Sequence, residues 1–538
     1  MPDALAAARH ESYEGWMWTR GWRDELLGRL DRPSEGTDEW DAIIVGGGIT
    51  GAGLLAECAR MGKSAVLFEA RDFASGTSSR STKLVHGGLR YLRQGQLRVT
   101  RESVVERERL LREAKGLVTP LGFYLATFAG DKMPSWMYGV GLAVYDVIAR
   151  KWAHEKYTAE ELLAQIPVLS GAAVRGGYHY FDAQTDDARL TLRVIREAVR
   201  RGGSAINYAP VKQLLRDQDG KVRGVVVTDA VTGRTFEVKS RRVVNATGVW
   251  VDGLRKEVGA PARMRAIRGS HLVFAREKLP VSEAVTLLHP ADGRAVFAVP
   301  WEGVTILGTT DVDHAHGLDE EPATANDEAS YLMDLATHAF PDVGLSSSDI
   351  RASWSGVRGV IDSGQKNPSK ESRDHALWNE DGLVTVTGGK LTTFRLMALE
   401  TLRAIGLYGE RGPILDEPTE VELPESLGVA ARARLLGRYG VEAPAVLAAH
   451  DDTSPIDDTP ALWCELRYAA RDEAVVHLED LLLRRVRLGL LAANGGIHLL
   501  ERIRAIVQPE LGWDDARWKQ EAESYEQLWH RAYGSEFA

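Results

Sequence analysis

Residues 41–69 read DAIIVGGGITGAGLLAECARMGKSAVLFE. The stretch joins a short apolar run, a glycine-rich turn, a segment of helical composition and a second apolar run that ends in Glu69. Gly46 can make the tight turn, Gly48 can let the backbone approach a pyrophosphate, and Gly51 can let helix and strand pack closely. The helix start offers free N–H groups to phosphates, and Glu69 can accept hydrogen bonds from a ribose. The pattern predicts a βαβ dinucleotide-binding unit; the alternative is a glycine-rich turn in an unrelated α/β protein.

The composition is that of a globular protein with more than one domain. The chain has 538 residues, of which 44% are hydrophobic and 26% charged, and this length predicts two or three domains. The net charge of −10 argues against a nucleic-acid binder. Cys58 and Cys464 are far apart and form no CxxC motif, so we expect a reducing, cytoplasmic compartment. We find no signal-peptide pattern and no apolar run of about 18 residues, so no spanning helix is predicted.

Composition and Gly/Pro punctuation predict an α/β chain, α+β overall, in several parts. The parts are an N-terminal helical leader at 1–40, a discontinuous nucleotide-binding domain at 41–410, a mainly antiparallel substrate domain interleaved at about 96–160 and 266–350, a linker at 411–424 and a helical C-terminal domain at 425–538. The leader carries aromatic and leucine residues at helical spacing. We interpret it as an amphipathic helix that packs on the body, with membrane contact through its tryptophans as the alternative.

Six further motifs accompany the glycine turn. They are TSSRSTKLVHGGLRY at 77–91, NATGVW at 245–250, GSH at 269–271, GTTD at 308–311, WSGVR at 354–358 and GGKLTTFR at 388–395. Together they closely resemble the FAD-dependent glycerol-3-phosphate dehydrogenases, within the D-amino-acid-oxidase-like flavoprotein superfamily. The resemblance covers about residues 40–400 and continues through Leu481–Arg487. It implies a Rossmann-like FAD-binding domain, an antiparallel substrate domain and a helical C-terminal domain.

The residues predicted to bind FAD combine the glycine turn with loops of small, hydroxyl-bearing and basic residues. They are Gly46, Gly48, Gly51, Glu69, Thr77, Ser78, Ser79, His86, Gly87, Gly88, Ala246, Gly248, Gly389, Lys390, Leu391 and Thr392. Lys390 follows two glycines at a strand-to-helix junction, where a cation and a helix dipole can raise the potential of a flavin. The alternative for Lys390 is a solvent-exposed lysine.

A phosphorylated substrate requires fixed cations, and arginine presents a planar fork to phosphate oxygens. By resemblance, Arg90, Arg358 and Arg373 supply this charge, whereas the alternative for each is a surface salt bridge. Arg373 lies in a polar run, so the residues alone leave its role open. Tyr91 and Thr310 are further candidate substrate contacts.

Removal of a hydride from an alcohol carbon needs a base for the hydroxyl proton, and histidine suits this role. His271 ranks above His86, because GSH enters the strands of the substrate domain; the choice between them stays open. The catalytic candidates are His271, His86, Lys390 and Arg358. The loop after GTTD carries Asp313, His314 and His316, but their spacing fits no closed zinc pattern, so no metal is expected.

The resemblance implies oxidation of sn-glycerol 3-phosphate to dihydroxyacetone phosphate, with hydride transfer to flavin N5. A single dinucleotide motif favours direct reduction of FAD by the substrate. The implied acceptor is a membrane quinone, which requires a peripheral contact on the inner face of the cell membrane. Met133–Tyr138 and the basic helix at 96–115 are candidate contacts, or ordinary packing elements. The alternatives are an oxidase that uses O₂ on glycerol 3-phosphate or an amino acid, and a non-redox sensor of FAD or sugar phosphate. The C-terminal segment either caps the body or forms a homo-oligomer contact.

Overall fold

The computed structural model describes residues 18–31, 40–88, 96–130, 134–149, 153–171, 173–365, 371, 374–409, 412–417 and 421–537. The strands are β1 (Ala42–Val45), β2 (Ala65–Phe68), β3 (Leu84–Val85), β4 (Val118–Phe128), β5 (Glu155–Thr158), β6 (Val174–Thr185), β7 (Ser204–Ile206), β8 (Val211–Arg216), β9 (Val222–Thr228), β10 (Thr235–Lys239), β11 (Val243–Asn245), β12 (Met264–Ala275), β13 (Ala284–Leu288), β14 (Ala295–Trp301), β15 (Val304–Gly308), β16 (Val312–Asp313), β17 (Ile350–Ile361), β18 (His375–Glu380) and β19 (Leu383–Gly388).

The α-helices are α1 (Trp22–Leu30), α2 (Ile49–Arg60), α3 (Leu97–Glu113), α4 (Ser135–Ala149), α5 (Ala159–Gln165), α6 (Asp187–Arg200), α7 (Val251–Glu257), α8 (Asn326–Ala339), α9 (Phe394–Ala404), α10 (Gly428–Tyr439), α11 (Ala443–Leu447), α12 (Trp463–Asp472), α13 (Leu488–Leu491), α14 (Leu500–Leu511) and α15 (Asp515–Ala532). A π-helical segment spans Asp480–Arg485.

The dinucleotide unit predicted at 41–69 is confirmed as the centre of a six-stranded sheet. Its order is β18-β19-β11-β1-β2-β7, and β1 pairs in parallel with both β2 and β11. All four residues of β1 are buried, as expected for a parallel strand covered on both faces. A hairpin is formed by β9 and β10, which pair antiparallel. The predicted α/β class with a Rossmann-like sheet is therefore correct.

The second layer is a ten-stranded sheet in the order β16-β12-β15-β14-β13-β4-β6-β3, with β17 paired to β12 and β5 to β6. Every pair in it is antiparallel except β4 with β13. The sheet includes 174–185 and 350–361, which lie outside the ranges expected for the substrate domain. The division of the chain at the expected boundaries stays a prediction.

The C-terminal helices and the described part of the leader both pack on this body. Trp301 and Trp354 of the antiparallel sheet share one core with Trp463 and Trp529 of the C-terminal helices. In the leader, the Trp18 ring stacks on Phe73 with centroids 5.0 Å apart; residues 1–17 and 32–39 lie outside the described part. Within the described residues, every helix falls short of the length and apolar character that membrane crossing requires.

Candidate active site

A cleft of about 680 Å³ lies between the carboxyl ends of the parallel strands and the antiparallel sheet. This is where open α/β sheets bind their ligands, and the volume is typical of cofactor sites. The structure brings most of the predicted site residues to its wall. They are Gly46, Gly48, Glu69, Thr77, Ser78, His86, Gly88, Ala246, Gly248, His271, Arg358, Gly389, Lys390, Leu391 and Thr392. Arg90, Tyr91 and Arg373 lie outside the described residues, so their roles stay predictions.

The glycine turn forms one end of the cleft. Gly46 has φ +113°, and a Cβ there would lie 2.6 Å from the carbonyl oxygen of Ala246. A Cβ on Gly51 would lie 1.9 Å from the carbonyl oxygen of Gly46, so side chains at either position would push turn, helix and strand apart. Glu69 accepts a hydrogen bond of 2.6 Å from the N–H of Gly47, and burial raises the pKa of its carboxyl group.

Hydroxyl groups fix the loop that faces this turn. The Ser78 hydroxyl accepts the N–H of Ile49 at 2.9 Å, at the start of α2. Thr77 donates its hydroxyl to the carbonyl oxygen of Val357 at 2.6 Å, and this bond joins the loop to the antiparallel sheet. Ser79 lies behind the cleft wall, where its carbonyl oxygen accepts hydrogen bonds from Lys83 and Arg487.

The middle of the cleft lies between the His86–Gly88 segment and the loop after β19. The His86 N–H donates to the Thr392 hydroxyl at 3.3 Å, which ties the two walls together. Lys390 lines the cleft and donates from Nζ to the Ser103 hydroxyl of α3 at 2.9 Å. The Gly87 N–H donates to Asp182 at 2.9 Å, so Gly87 contributes a backbone hydrogen bond that fixes this segment.

Two arginines and a histidine meet at the other end of the cleft. Arg358 donates from Nη2 to the carbonyl oxygen of Thr310 at 3.4 Å, and Arg294 donates from Nη2 to that of Thr309 at 2.6 Å. His271 lies so close to this strand end that a Cβ on Gly308 would meet its Cδ2 at 2.2 Å. Two guanidinium groups and an imidazole therefore lie together near the end of β15.

Arg294 was not among the residues predicted from the sequence, and the predicted threonine contact was Thr310 rather than Thr309. Arg294 follows the Asp-Gly turn before β14, where an arginine has no distinguishing local signal. Thr309 lines the cleft, whereas the Thr310 hydroxyl accepts the Ser270 N–H at 2.8 Å and donates to Glu328 at 2.5 Å. Contact between Thr310 and a substrate stays a prediction.

His271 has the electrostatics of a base that is unprotonated at neutral pH. Its ring stacks on Trp354 with centroids 4.8 Å apart and planes at 17°, and Nε2 lies 2.9 Å from the hydroxyl oxygen of Thr82. Burial, Lys83 and Arg358 lower the pKa of the imidazole well below its usual value. A neutral imidazole can accept a proton.

The residues present fit a bound dinucleotide. The glycines at one end leave space that a Cβ would fill, and they open onto the N-terminus of α2, where phosphates bind favourably. No group of three or more metal-binding side chains that could hold an ion occurs among the described residues.

Comparison with known proteins identifies the family. Residues 41–397 match the family described as FAD dependent oxidoreductase, and residues 407–518 match the C-terminal domain of alpha-glycerophosphate oxidase. The aerobic glycerol-3-phosphate dehydrogenase of Bacillus subtilis is 40% identical over 382 residues, which cover 70% of this chain and 67% of that protein. The protein of the same name from Staphylococcus aureus is 33% identical over 489 residues, covering 83% of this chain and 86% of its own.

A solved structure extends the match to nearly the whole chain. The glycerol-3-phosphate dehydrogenase from Bacillus halodurans, complexed with FAD, has a TM-score of 0.75 at 27% identity and covers 96% of this chain and 98% of its own. An L-α-glycerophosphate oxidase from Mycoplasma pneumoniae with FAD bound has a TM-score of 0.57 at 17% identity and shares the fold. The chain therefore belongs to the FAD-dependent glycerol-3-phosphate dehydrogenase family of oxidoreductases.

Proposed function

We propose that the protein oxidises sn-glycerol 3-phosphate to dihydroxyacetone phosphate and passes the electrons through FAD to a membrane quinone. The observation that carries this proposal is the meeting of Arg294, Arg358 and a neutral, buried His271 at one end of a cleft whose other end is the glycine turn. The names of the relatives in Bacillus and Staphylococcus support the same substrate.

The substrate phosphate binds the two guanidinium groups of Arg294 and Arg358. Both are already oriented by carbonyl oxygens of adjacent residues, so little side-chain entropy is lost on binding. Anchoring the phosphate there places C2 in the middle of the cleft, which converts a bimolecular encounter into an oriented one.

His271 accepts a proton at Nε2 from the hydroxyl of the cleft-lining Thr82, which in turn takes the proton of the C2 hydroxyl. Bound FAD supplies the hydride acceptor, N5. Lys390 and the start of the helical segment at Leu391–Thr393 provide positive potential at the cleft wall, which favours an electron-rich ring there. His86 lines the same cleft and is the second candidate base.

The decisive experiment is anaerobic addition of sn-glycerol 3-phosphate to the yellow protein. We expect loss of the oxidised flavin band with this substrate but not with glycerol, because glycerol lacks the phosphate that the arginines bind. His271→Gln should slow the bleaching about 10²- to 10⁴-fold, the usual contribution of a general base, and His86→Gln should slow it less. No bleaching of the wild-type protein would refute the proposed reaction.

The acceptor is tested with the same preparation. We expect reduction of a quinone analogue without stoichiometric H₂O₂ during turnover. Production of one H₂O₂ per substrate, with no quinone reduction, would make the protein an oxidase instead.

Membrane contact is supported by an exposed apolar face on α4. Trp136, Val140, Val144 and Val147 recur at helical spacing along it, and Trp136 and Val147 are 65% and 70% exposed. Large exposed apolar patches mark interaction sites. The adjacent α3 exposes arginines, as expected for a surface that meets anionic lipid headgroups.

Co-sedimentation with anionic liposomes at low salt tests this contact. We expect the wild-type protein to bind and a variant with Trp136→Ser and Val147→Ser to remain in solution. Equal binding of the two proteins would remove α4 from the contact. A shift in the mass measured by light scattering on the same substitutions, without any lipid effect, would instead identify the face as a homo-oligomer contact.

A further inference from the structure

Lys83 is a buried lysine that the proposed reaction does not use. Its side chain has no solvent exposure, and Nζ donates to the carbonyl oxygen of Ser79 at 2.6 Å and to the two carboxylate oxygens of Asp187 at 2.9 and 3.0 Å. A buried lysine costs free energy unless it is paired and hydrogen-bonded. Lys83 is therefore a buried, fully paired lysine, and it lies directly behind the cleft wall.

The ammonium group of Lys83 and the imidazole of His271 contact the same indole ring. Nζ lies 4.7 Å from the centroid of Trp354, and the His271 ring lies 4.8 Å from that centroid. The cation and the imidazole are therefore within about 10 Å of each other, across a buried medium in which charges are only weakly screened. Thr82, the neighbour of Lys83, is the hydrogen-bond partner of His271.

The C-terminal segment contributes a second cation, Arg487, beside Lys83. Arg487 donates to the carbonyl oxygen of Ser79 at 3.0 Å and to Asp187 at 3.1 Å, so it shares both partners of the lysine. The Ser81 N–H and hydroxyl also donate to Asp187. One carboxylate therefore holds the loop on either side of Thr82.

Charged groups from several segments of the chain act on Lys83 and on His271. Lys83 and Arg358 act on His271, and Lys83 itself faces Asp186, Asp187 and Arg487. Burial and the charge of Arg487 lower the pKa of Lys83 to about 7, so the lysine becomes cationic as the pH falls below about 7.

We propose that Lys83 is a positioning residue that keeps His271 unprotonated and, through Asp187 and Arg487, holds the Thr82 hydroxyl at its Nε2. A nearby positive charge disfavours the imidazolium form. The role as base rests on the proposed function; the electrostatic coupling of Lys83 to His271 does not.

The test compares Lys83→Met with Arg434→Met in the FAD-loaded protein. Arg434 is a matched control because its side chain is only 12% exposed and it too is ion-paired, but with Glu302 and Glu465 and away from the cleft loop. Lys83→Gln, which can still hydrogen-bond, serves if the methionine variant does not fold.

The first readout is an NMR titration of ¹⁵N-histidine-labelled protein, with His271 assigned by its loss in His271→Gln. We expect the pKa of His271 to rise by about one unit on removal of a charge at this range, and not to change in the control. The second readout is the acidic limb of kcat/KM, which should move to higher pH by the same amount.

An unmoved His271 titration in a folded Lys83 variant would overturn the proposal, even if activity fell. A wild-type protein that does not react with glycerol 3-phosphate would refute the proposed function alone, because the titration needs no turnover. A shift in the control as large as that in the Lys83 variants would also overturn the proposal, since it would show a general effect of lost ion pairs.

Discussion

Gly51→Ala should damage nucleotide binding more than its single methyl group suggests. The added Cβ would lie 1.9 Å from the carbonyl oxygen of Gly46 and 3.4 Å from a methyl carbon of Ile44. Carbon–oxygen contacts are ordinarily no shorter than about 3.3 Å, so the start of α2 and the glycine turn must separate by more than about 1 Å. The turn opens onto the N-terminus of α2, where phosphates bind favourably, and it therefore moves with the clash.

The magnitude follows from two costs. Overpacking of this kind destabilises a folded protein by about 1–3 kcal/mol. Displacing one hydrogen bond to a charged phosphate loses about 1.5–3 kcal/mol of binding free energy, which corresponds to an FAD affinity about 10- to 100-fold weaker.

The assay is titration of the apoprotein with FAD, followed by flavin fluorescence, together with denaturant unfolding. Gly28→Ala is the matched control: Gly28 lies in α1, and no atom lies within 4 Å of its added Cβ. This control should keep its FAD affinity and gain up to about 1 kcal/mol from helix propensity. An FAD affinity of Gly51→Ala within threefold of the wild type would refute the reasoning, because the turn would then tolerate the displacement.

Three further predictions concern the cleft and its support. The value of kcat/KM should not fall between pH 8 and pH 6.5 through titration of His271, because the pKa of this histidine is lowered well below its usual value. The base is lost only when the pH falls below that lowered pKa. An acidic limb of the kcat/KM profile at pH 6.5 or above contradicts this prediction. Arg358→Gln and Arg294→Gln should each raise KM for glycerol 3-phosphate at least about tenfold, as the loss of a charge-assisted hydrogen bond predicts, and an unchanged KM in steady-state kinetics excludes the residue from phosphate binding. Asp72→Asn should cost about 3–5 kcal/mol in denaturant unfolding at pH 7, because it removes the carboxylate that pairs with buried Arg485 and one of those that pair with Arg484. Burial acts to raise the pKa of Asp72, but those arginines outweigh it and lower the pKa to about 2, so the stability contributed by the carboxylate is present above its unfolded pKa near 4 and lost as the pH falls toward about 2; a wild-type protein and variant with equal stability at pH 7 would contradict this.

The sequence predicted the nucleotide unit well because its signals are local. The apolar run of β1, the glycines and the acidic end of β2 each constrain their own segment, and the structure places them within a residue or two of the expected bounds. The hairpin of β9 and β10 has the same local character. The motifs and the family resemblance that they carry also selected site residues, most of which line the cleft.

Features set by distant partners were not predictable in this way. The strand β12 extends well beyond the GSH motif at 269–271, because it pairs along its length with β17, whose partner residues lie 76 to 97 positions later in the chain. Arg294 looks like any arginine after a turn until Thr309 is placed beside it. The buried role of Lys83 depends on Asp187 and Arg487, and none of the three is unusual in its local sequence.

The ion pairs between Asp72 and the C-terminal segment have a consequence for biosynthesis. The carboxylate of Asp72 is held by Arg485, which is 413 positions later in the chain, and Arg487 reaches back 408 positions to Ser79. Both loops border the nucleotide cleft, so a nascent chain on the ribosome exposes the glycine turn long before its supports exist. We therefore expect stable capture of the cofactor to come late in synthesis, after the segment that carries Arg485 and Arg487 has left the exit tunnel.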